Sequence, residues 1–262
     1  MTVTATPVPS DTVTAPAAER NLSAAQSVPA IRNTPSIRSV PALRSVSLAG
    51  PAGRLEAVLN EGAPDAPYAA VVCHPHPLGG GTLHNKVVYH AMKVLNDPAW
   101  GFGFPVLRFN FRGTGLSQGE HHGKLESEDV LAALSRLENE YNLPLVVAGF
   151  SFGAAMALHA CCPSPRSKQA RNQVRALIAL GLPTQAEGRT HQYPSLANCT
   201  IPKLFLSGDT DTYAPAHDLA QVANSASEPK RLLFLHGSDH FFTGHLASMQ
   251  QALAGWLKEE LP

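Results

Sequence analysis

The sequence predicts an α/β fold, a mostly parallel sheet with helices on both faces. Two observations predict it. Short apolar runs of about four to six residues recur, bounded by Gly, Pro or polar residues, and they are too short for helices. Between them lie longer stretches whose apolar residues recur three or four apart. Strands that alternate with helices in this way build a parallel sheet covered on both sides.

The elements follow in order. Residues 46–48 and 54–59 alternate apolar and polar and are joined by Ala49-Gly50-Pro51-Ala52-Gly53, which predicts an antiparallel hairpin. Residues 69–73 form an apolar strand, followed by a Pro/Gly loop and an amphipathic helix over 87–95. A strand is expected at 105–109. Residues 126–141 carry Val130, Leu131, Leu134, Leu137 and Tyr141 at helical spacing, with Glu126, Glu128 and Asp129 where a first turn favours negative charge. Strands at 145–148, 176–180, 203–206 and 231–235 then alternate with helices at 152–161, 215–225 and 244–261. Only about 20 residues separate Leu180 from Lys203, too few for a helical cap.

Residues 1–45 stand apart. Ser, Thr, Ala and Pro fill 26 of these 45 positions, and no aromatic precedes Tyr68. Such a segment buries too little apolar area to offset its chain entropy, so a disordered tail is expected over 1–45 and a domain over 46–262. The tail lacks an apolar signal region. Its arginines only faintly match a transit peptide, so a cytoplasmic location is expected, with organellar targeting left open. Lys plus Arg equals Asp plus Glu at 20 each, which argues against a nucleic-acid partner. No run of 18 apolar residues exists, so no membrane span is expected. The four cysteines (Cys73, Cys161, Cys162, Cys199) suggest neither a disulfide framework nor, lacking a C-x-x-C pair, a zinc ribbon.

The chemistry concentrates after the strands. Gly149-Phe150-Ser151-Phe152-Gly153 is a G-x-S-x-G turn between a predicted strand and a small-residue helix. The turn is so tight that side chains at its ends would meet backbone, and it leaves Ser151 at the tip as a candidate nucleophile. A serine needs a base, and the base needs an orienting acid. Two later strands end in Ser207-Gly208-Asp209-Thr210-Asp211 and His236-Gly237-Ser238-Asp239-His240. His240 is the preferred base and Asp211 the preferred acid, with His236 and Asp209 as rivals and Asp239, adjacent to His240, a weaker one because it would point away from it in a loop. The Gly-x-x-Asp spacing lets the chain turn before Asp211 is presented.

The loop Cys73-His74-Pro75-His76-Pro77 follows another strand. The prolines lack N–H groups, so the nearby oxyanion donors are His76 and Leu78, of which His76 is preferred, beside the N–H of Phe152. Phe150, Phe152, Phe241 and Phe242 are candidates to line an apolar pocket, with core packing the competing reading. Arg112, in Phe109-Asn110-Phe111-Arg112-Gly113, is either a substrate contact or, more in keeping with such loops, a structural bond to loop carbonyls. His121-His122 reads as a solvated loop. His74-x-His76 also admits a metal site, but Leu78-Gly79 stand where further ligands belong.

Together, Gly149–Gly153, Gly208-x-x-Asp211, Asp239-His240 and the C-H-P-H-P loop resemble the α/β-hydrolase superfamily. Within it they are similar to a small group related to dienelactone hydrolases and acyl-peptidase-like serine hydrolases. The resemblance covers about residue 46 to the C-terminus. It implies Ser151 as nucleophile, Asp211 as acid, His240 as base, oxyanion donors at Phe152 and in the 74–77 loop, and no cofactor. One departure is Gly81, which completes a triple glycine and is expected to loosen that loop. The expected function is hydrolysis of a small-molecule ester, thioester or amide through an acyl-enzyme. A non-catalytic binding protein of this fold and a His-x-His metal hydrolase are the alternatives.

Overall fold

The computed structural model describes residues 42–162, 173–186 and 189–261. The expected tail, as far as Pro41, lies outside the described residues. Strand β1 (Leu43–Gly50) starts three residues before the boundary expected at Val46. It pairs antiparallel with β2 (Gly53–Asn60), as the hairpin pattern predicts.

The remaining strands are β3 (Ala69–Cys73), β4 (Val106–Phe109), β5 (Leu145–Phe150), β6 (Val174–Leu180), β7 (Gln185–Ala186), β8 (Arg189–Thr190), β9 (Lys203–Gly208) and β10 (Lys230–Leu235). Eight of them form one sheet in the order β1-β2-β4-β3-β5-β6-β9-β10. From β4 to β10 every pairing is parallel. β7 and β8 form a separate small hairpin. This hairpin and a 3-10 helix (Pro194–Asn198) occupy the stretch where a cap would stand.

Two apolar layers enclose the sheet, because successive strand side chains face opposite sides. Helices α2 (Glu126–Tyr141), α3 (Phe152–Cys161) and α4 (Ala216–Ser225) pack on the face of Val71, Val147, Leu177 and Phe205. Helices α1 (Lys86–Asn96) and α5 (Leu246–Glu260) pack on the face of Val72, Val146, Ile178 and Leu204. The spacing of apolar residues placed α2 at its observed limits, and the G-x-S-x-G turn with the small residues after it did so for α3. Helix α1 is capped by the Asn85 side chain, which accepts from the Val87 N–H at 2.9 Å.

The cysteines correct one expectation. Cys162, just past α3, is bridged to Cys199, just past the 3-10 helix. Cys73 and Cys161 are buried thiols. No described helix is long and apolar enough to cross a membrane.

Candidate active site

The carboxyl ends of β3, β5, β9 and β10 deliver the candidate residues to one edge of the sheet, where ligands bind in open α/β folds. Ser151 caps α3 with φ 55° and ψ −120°, a conformation that few L-residues adopt. The residues two positions away on either side must be glycine. A Cβ at Gly153 would lie 2.5 Å from the carbonyl oxygens of Cys73 and His74, and one at Gly149 would lie 2.4 Å from the Gly153 backbone. The close approach of α3 to β3 thus fixes the G-x-S-x-G pattern.

Ser151 Oγ lies 3.0 Å from His240 Nε2, and His240 Nδ1 lies 2.8 Å from Asp211 Oδ2. Ser151, His240 and Asp211 are all buried. Ser207 Oγ also donates to Asp211 Oδ2, at 2.8 Å. Asp211 Oδ1 accepts the N–H groups of Tyr213 and Ala214 at 2.8 and 2.9 Å. Burial pushes the Asp211 pKa up. The hydrogen bond and charge of His240, with the bonds from Ser207 and Ala214, outweigh that and hold it below the usual carboxylate range. Gly208 permits the convergence, since a Cβ there would lie 2.0 Å from the Ser238 carbonyl oxygen.

The rivals are paired elsewhere. Asp209 Oδ2 lies 2.8 Å from Nδ1 of His236, whose side chain is fully exposed. Asp209 Oδ1 accepts the Gly237 N–H. Asp239 accepts the N–H groups of Phe241 and Thr243 and so serves its own turn.

On the other side of Ser151, the ring of His76 packs edge-on to Phe152 with centroids 5.0 Å apart. The Phe152 N–H is the first of α3 and so has no partner within the helix. His76 Nδ1 accepts the Leu78 N–H at 3.2 Å. Gly81 does not loosen this loop. Its N–H donates to the His76 carbonyl at 3.0 Å, and a Cβ there would lie 2.1 Å from the Pro75 carbonyl oxygen. The third glycine is what lets the loop fold back on itself.

His74 is a structural tie. Its Nδ1–H donates to the Pro75 carbonyl at 2.7 Å, and its Nε2 accepts the Phe111 N–H at 3.0 Å. Neither nitrogen has a lone pair left for an ion. Burial lowers its pKa to about 4.

Several residues sit differently from expectation. Arg112 does not line the cleft and does not bond loop carbonyls. It is buried, and its guanidinium grips the buried carboxylate of Asp129 through Nη2 at 2.7 Å and Nε at 3.0 Å. Phe150 is fully buried and packs under the His240 ring with centroids 5.0 Å apart, so it is a floor rather than a lining. Phe242 is likewise core. Phe241 alone of these phenylalanines is largely exposed, beside His240 at 5.1 Å.

Two neighbours escaped the sequence reading. Tyr213 packs its ring on His240 at 4.5 Å, although it follows Asp211 by only two residues. His121 is not a solvated loop residue: its ring stands 4.8 Å from His76 and 5.5 Å from Phe152. Its Nδ1 lies 2.9 Å from the buried Glu126 carboxylate. Glu126 is more than a helix-terminal charge, since it also accepts the N–H groups of His122 and Gly123.

Residues 76–257 match the model of the alpha/beta hydrolase domain family. An uncharacterised protein of Rickettsia prowazekii is 35% identical over 217 residues, covering 79% of this chain and 86% of its own length. A solved α/β serine hydrolase without lid from Xanthomonas campestris is 30% identical, with TM-score 0.70, covering 84% of this chain and 95% of that one. An alpha-beta serine hydrolase homologue from Coxiella burnetii is 32% identical, with TM-score 0.71, covering 82% and 97%. With its sheet order and these relatives, the chain belongs to the alpha/beta-hydrolase family.

Proposed function

We propose that this protein is a serine hydrolase that cleaves a carboxylic ester or thioester of a small molecule. The observation that supports this most is the relay Asp211 Oδ2–His240 Nδ1–Nε2–Ser151 Oγ, with links of 2.8 and 3.0 Å. A carboxylate beside Nδ1 keeps a proton on that nitrogen and leaves Nε2 as acceptor for the serine proton. Ser151 Oγ then attacks the carbonyl carbon while His240 Nε2 takes its proton. The N–H groups of Phe152 and His76 are the donors assigned to the developing oxyanion, and each such donor is worth about 2.7–4 kcal/mol of barrier lowering. As the tetrahedral intermediate collapses, Nε2–H gives its proton to the departing alkoxide or thiolate. Water, activated by the same imidazole, releases the acyl group and restores Ser151. No step calls on a metal or a cofactor. Esters and thioesters rank ahead of amides because they expel better leaving groups.

The test is turnover of p-nitrophenyl esters of graded acyl length by the wild type and by Ser151→Ala. The expected result is steady hydrolysis that falls on the order of 10⁶-fold in the variant. Hydrolysis that survives in folded Ser151→Ala would remove the serine from the mechanism.

A further inference from the structure

We infer that Tyr213 and Phe241 form a subsite for an aromatic or bulky apolar alcohol, the leaving-group half of the substrate. This rests on the serine-hydrolase reading above. Three aromatic rings touch the His240 imidazole: Phe150 at 5.0 Å, Tyr213 at 4.5 Å and Phe241 at 5.1 Å. They differ in burial. Phe150 is fully buried and suffices as a packing floor, whereas Tyr213 is 43% exposed and Phe241 52% exposed. Two large exposed rings that both touch the imidazole of a candidate triad form one apolar surface beside it, open to a ligand.

The backbones that carry both rings are tied down. Tyr213 N–H donates to Asp211, and its carbonyl accepts the N–H groups of Thr184 and Gln185 at 2.9 and 3.0 Å. Phe241 N–H donates to Asp239 at 3.1 Å, and its ring also leans on Phe150 at 6.2 Å. The points from which the two rings extend are therefore set before any ligand arrives, which lowers the entropy cost of binding.

Their position assigns the half of the substrate they meet. The oxyanion candidates His76 and Phe152 pack against each other and His121, whereas Tyr213 and Phe241 pack on His240, and Phe241 also on Phe150. The group that must stand next to His240 is the one it protonates. In the collapse step the carbon–oxygen bond to the alcohol breaks, and the Nε2 proton moves to that oxygen. The substituent on this oxygen then lies against Tyr213 and Phe241, where a ring stacks well.

The experiment compares acetate esters of one acyl group, benzyl acetate and 2-phenylethyl acetate against ethyl acetate, whose alcohols are of similar acidity. The wild type is expected to favour the arylalkyl esters in kcat/KM. In Phe241→Ala and Tyr213→Leu that preference falls roughly tenfold, the size expected for losing one aromatic contact. Tyr89→Ala, an exposed ring on α1 away from the site, keeps the preference. An arylalkyl preference that persists in both folded variants overturns the subsite. So does equal loss on all three esters, which would make the rings mere supports for His240. A wild type that hydrolyses none of them and shows no serine reactivity would overturn the hydrolase reading itself.

Discussion

Asp211 keeps its charge in the interior because four donors meet its two oxygens, from His240, Ser207, Tyr213 and Ala214. Asp211→Asn places an amide against His240 Nδ1 and favours the wrong tautomer, so kcat should drop about 10⁴-fold. Asp209→Asn, which loses only a surface pair with His236, should stay within about twofold of wild type, as such pairs contribute little. Reversed results in ester assays would move the acid to Asp209. His74 makes a second prediction at this scale. Its folded pKa of about 4 lies below the ordinary 6.5, so the unfolded chain binds its proton first as pH falls. Its contribution to stability is complete above about pH 6.5 and is lost towards pH 4, on the order of 3 kcal/mol. The depressed Asp211 carboxyl acts lower still, its contribution fading only as pH falls below the usual carboxylate range. NMR titration should show His74 neutral at pH 5.5, with urea stability falling from pH 7 to pH 4.5. A His74 that titrates near 6.5 would contradict this.

At the scale of elements, the ends of β9 and β10 hold the site together. Gly208→Ala must part these strand ends, because its Cβ would lie 2.0 Å from the Ser238 carbonyl oxygen. The backbone shift should cost about 1–3 kcal/mol and lower kcat further than the fold loss explains, since Asp211 and His240 ride on the separated loops. Thermal melts and ester kinetics on one preparation check both effects, and a fully active Gly208→Ala would contradict them. What was legible in the sequence follows the same division. Helices α2 and α3 were legible because period 3.6 and the G-x-S-x-G turn are local signals. Ser151, Asp211 and His240 were legible because each follows an apolar strand. The partner of Arg112 was not, because Asp129 reads locally as a first-turn charge until the fold brings it to the 112 loop. Tyr213 and His121 were missed for the same reason: only the folded loops bring them to His240 and Phe152.

At the scale of the molecule, the Cys162–Cys199 bridge ties the end of α3 to the segment in the cap position, which among the described residues holds only the β7–β8 hairpin and a 3-10 helix. The two cysteines are 37 residues apart, so chain-entropy arithmetic gives the bridge about 3–4 kcal/mol of stability. Cys199→Ala, or reductant on the wild type, should lower Tm by several degrees; an unchanged Tm would mean the bridge does not form in solution. Whether Ser151 is an activated nucleophile is read out by labelling with a fluorophosphonate followed by peptide mass mapping. A single adduct on the peptide carrying Ser151, lost in folded His240→Ala, is the expected result. A folded wild-type protein that takes up no label, or takes it up on another residue, would contradict it.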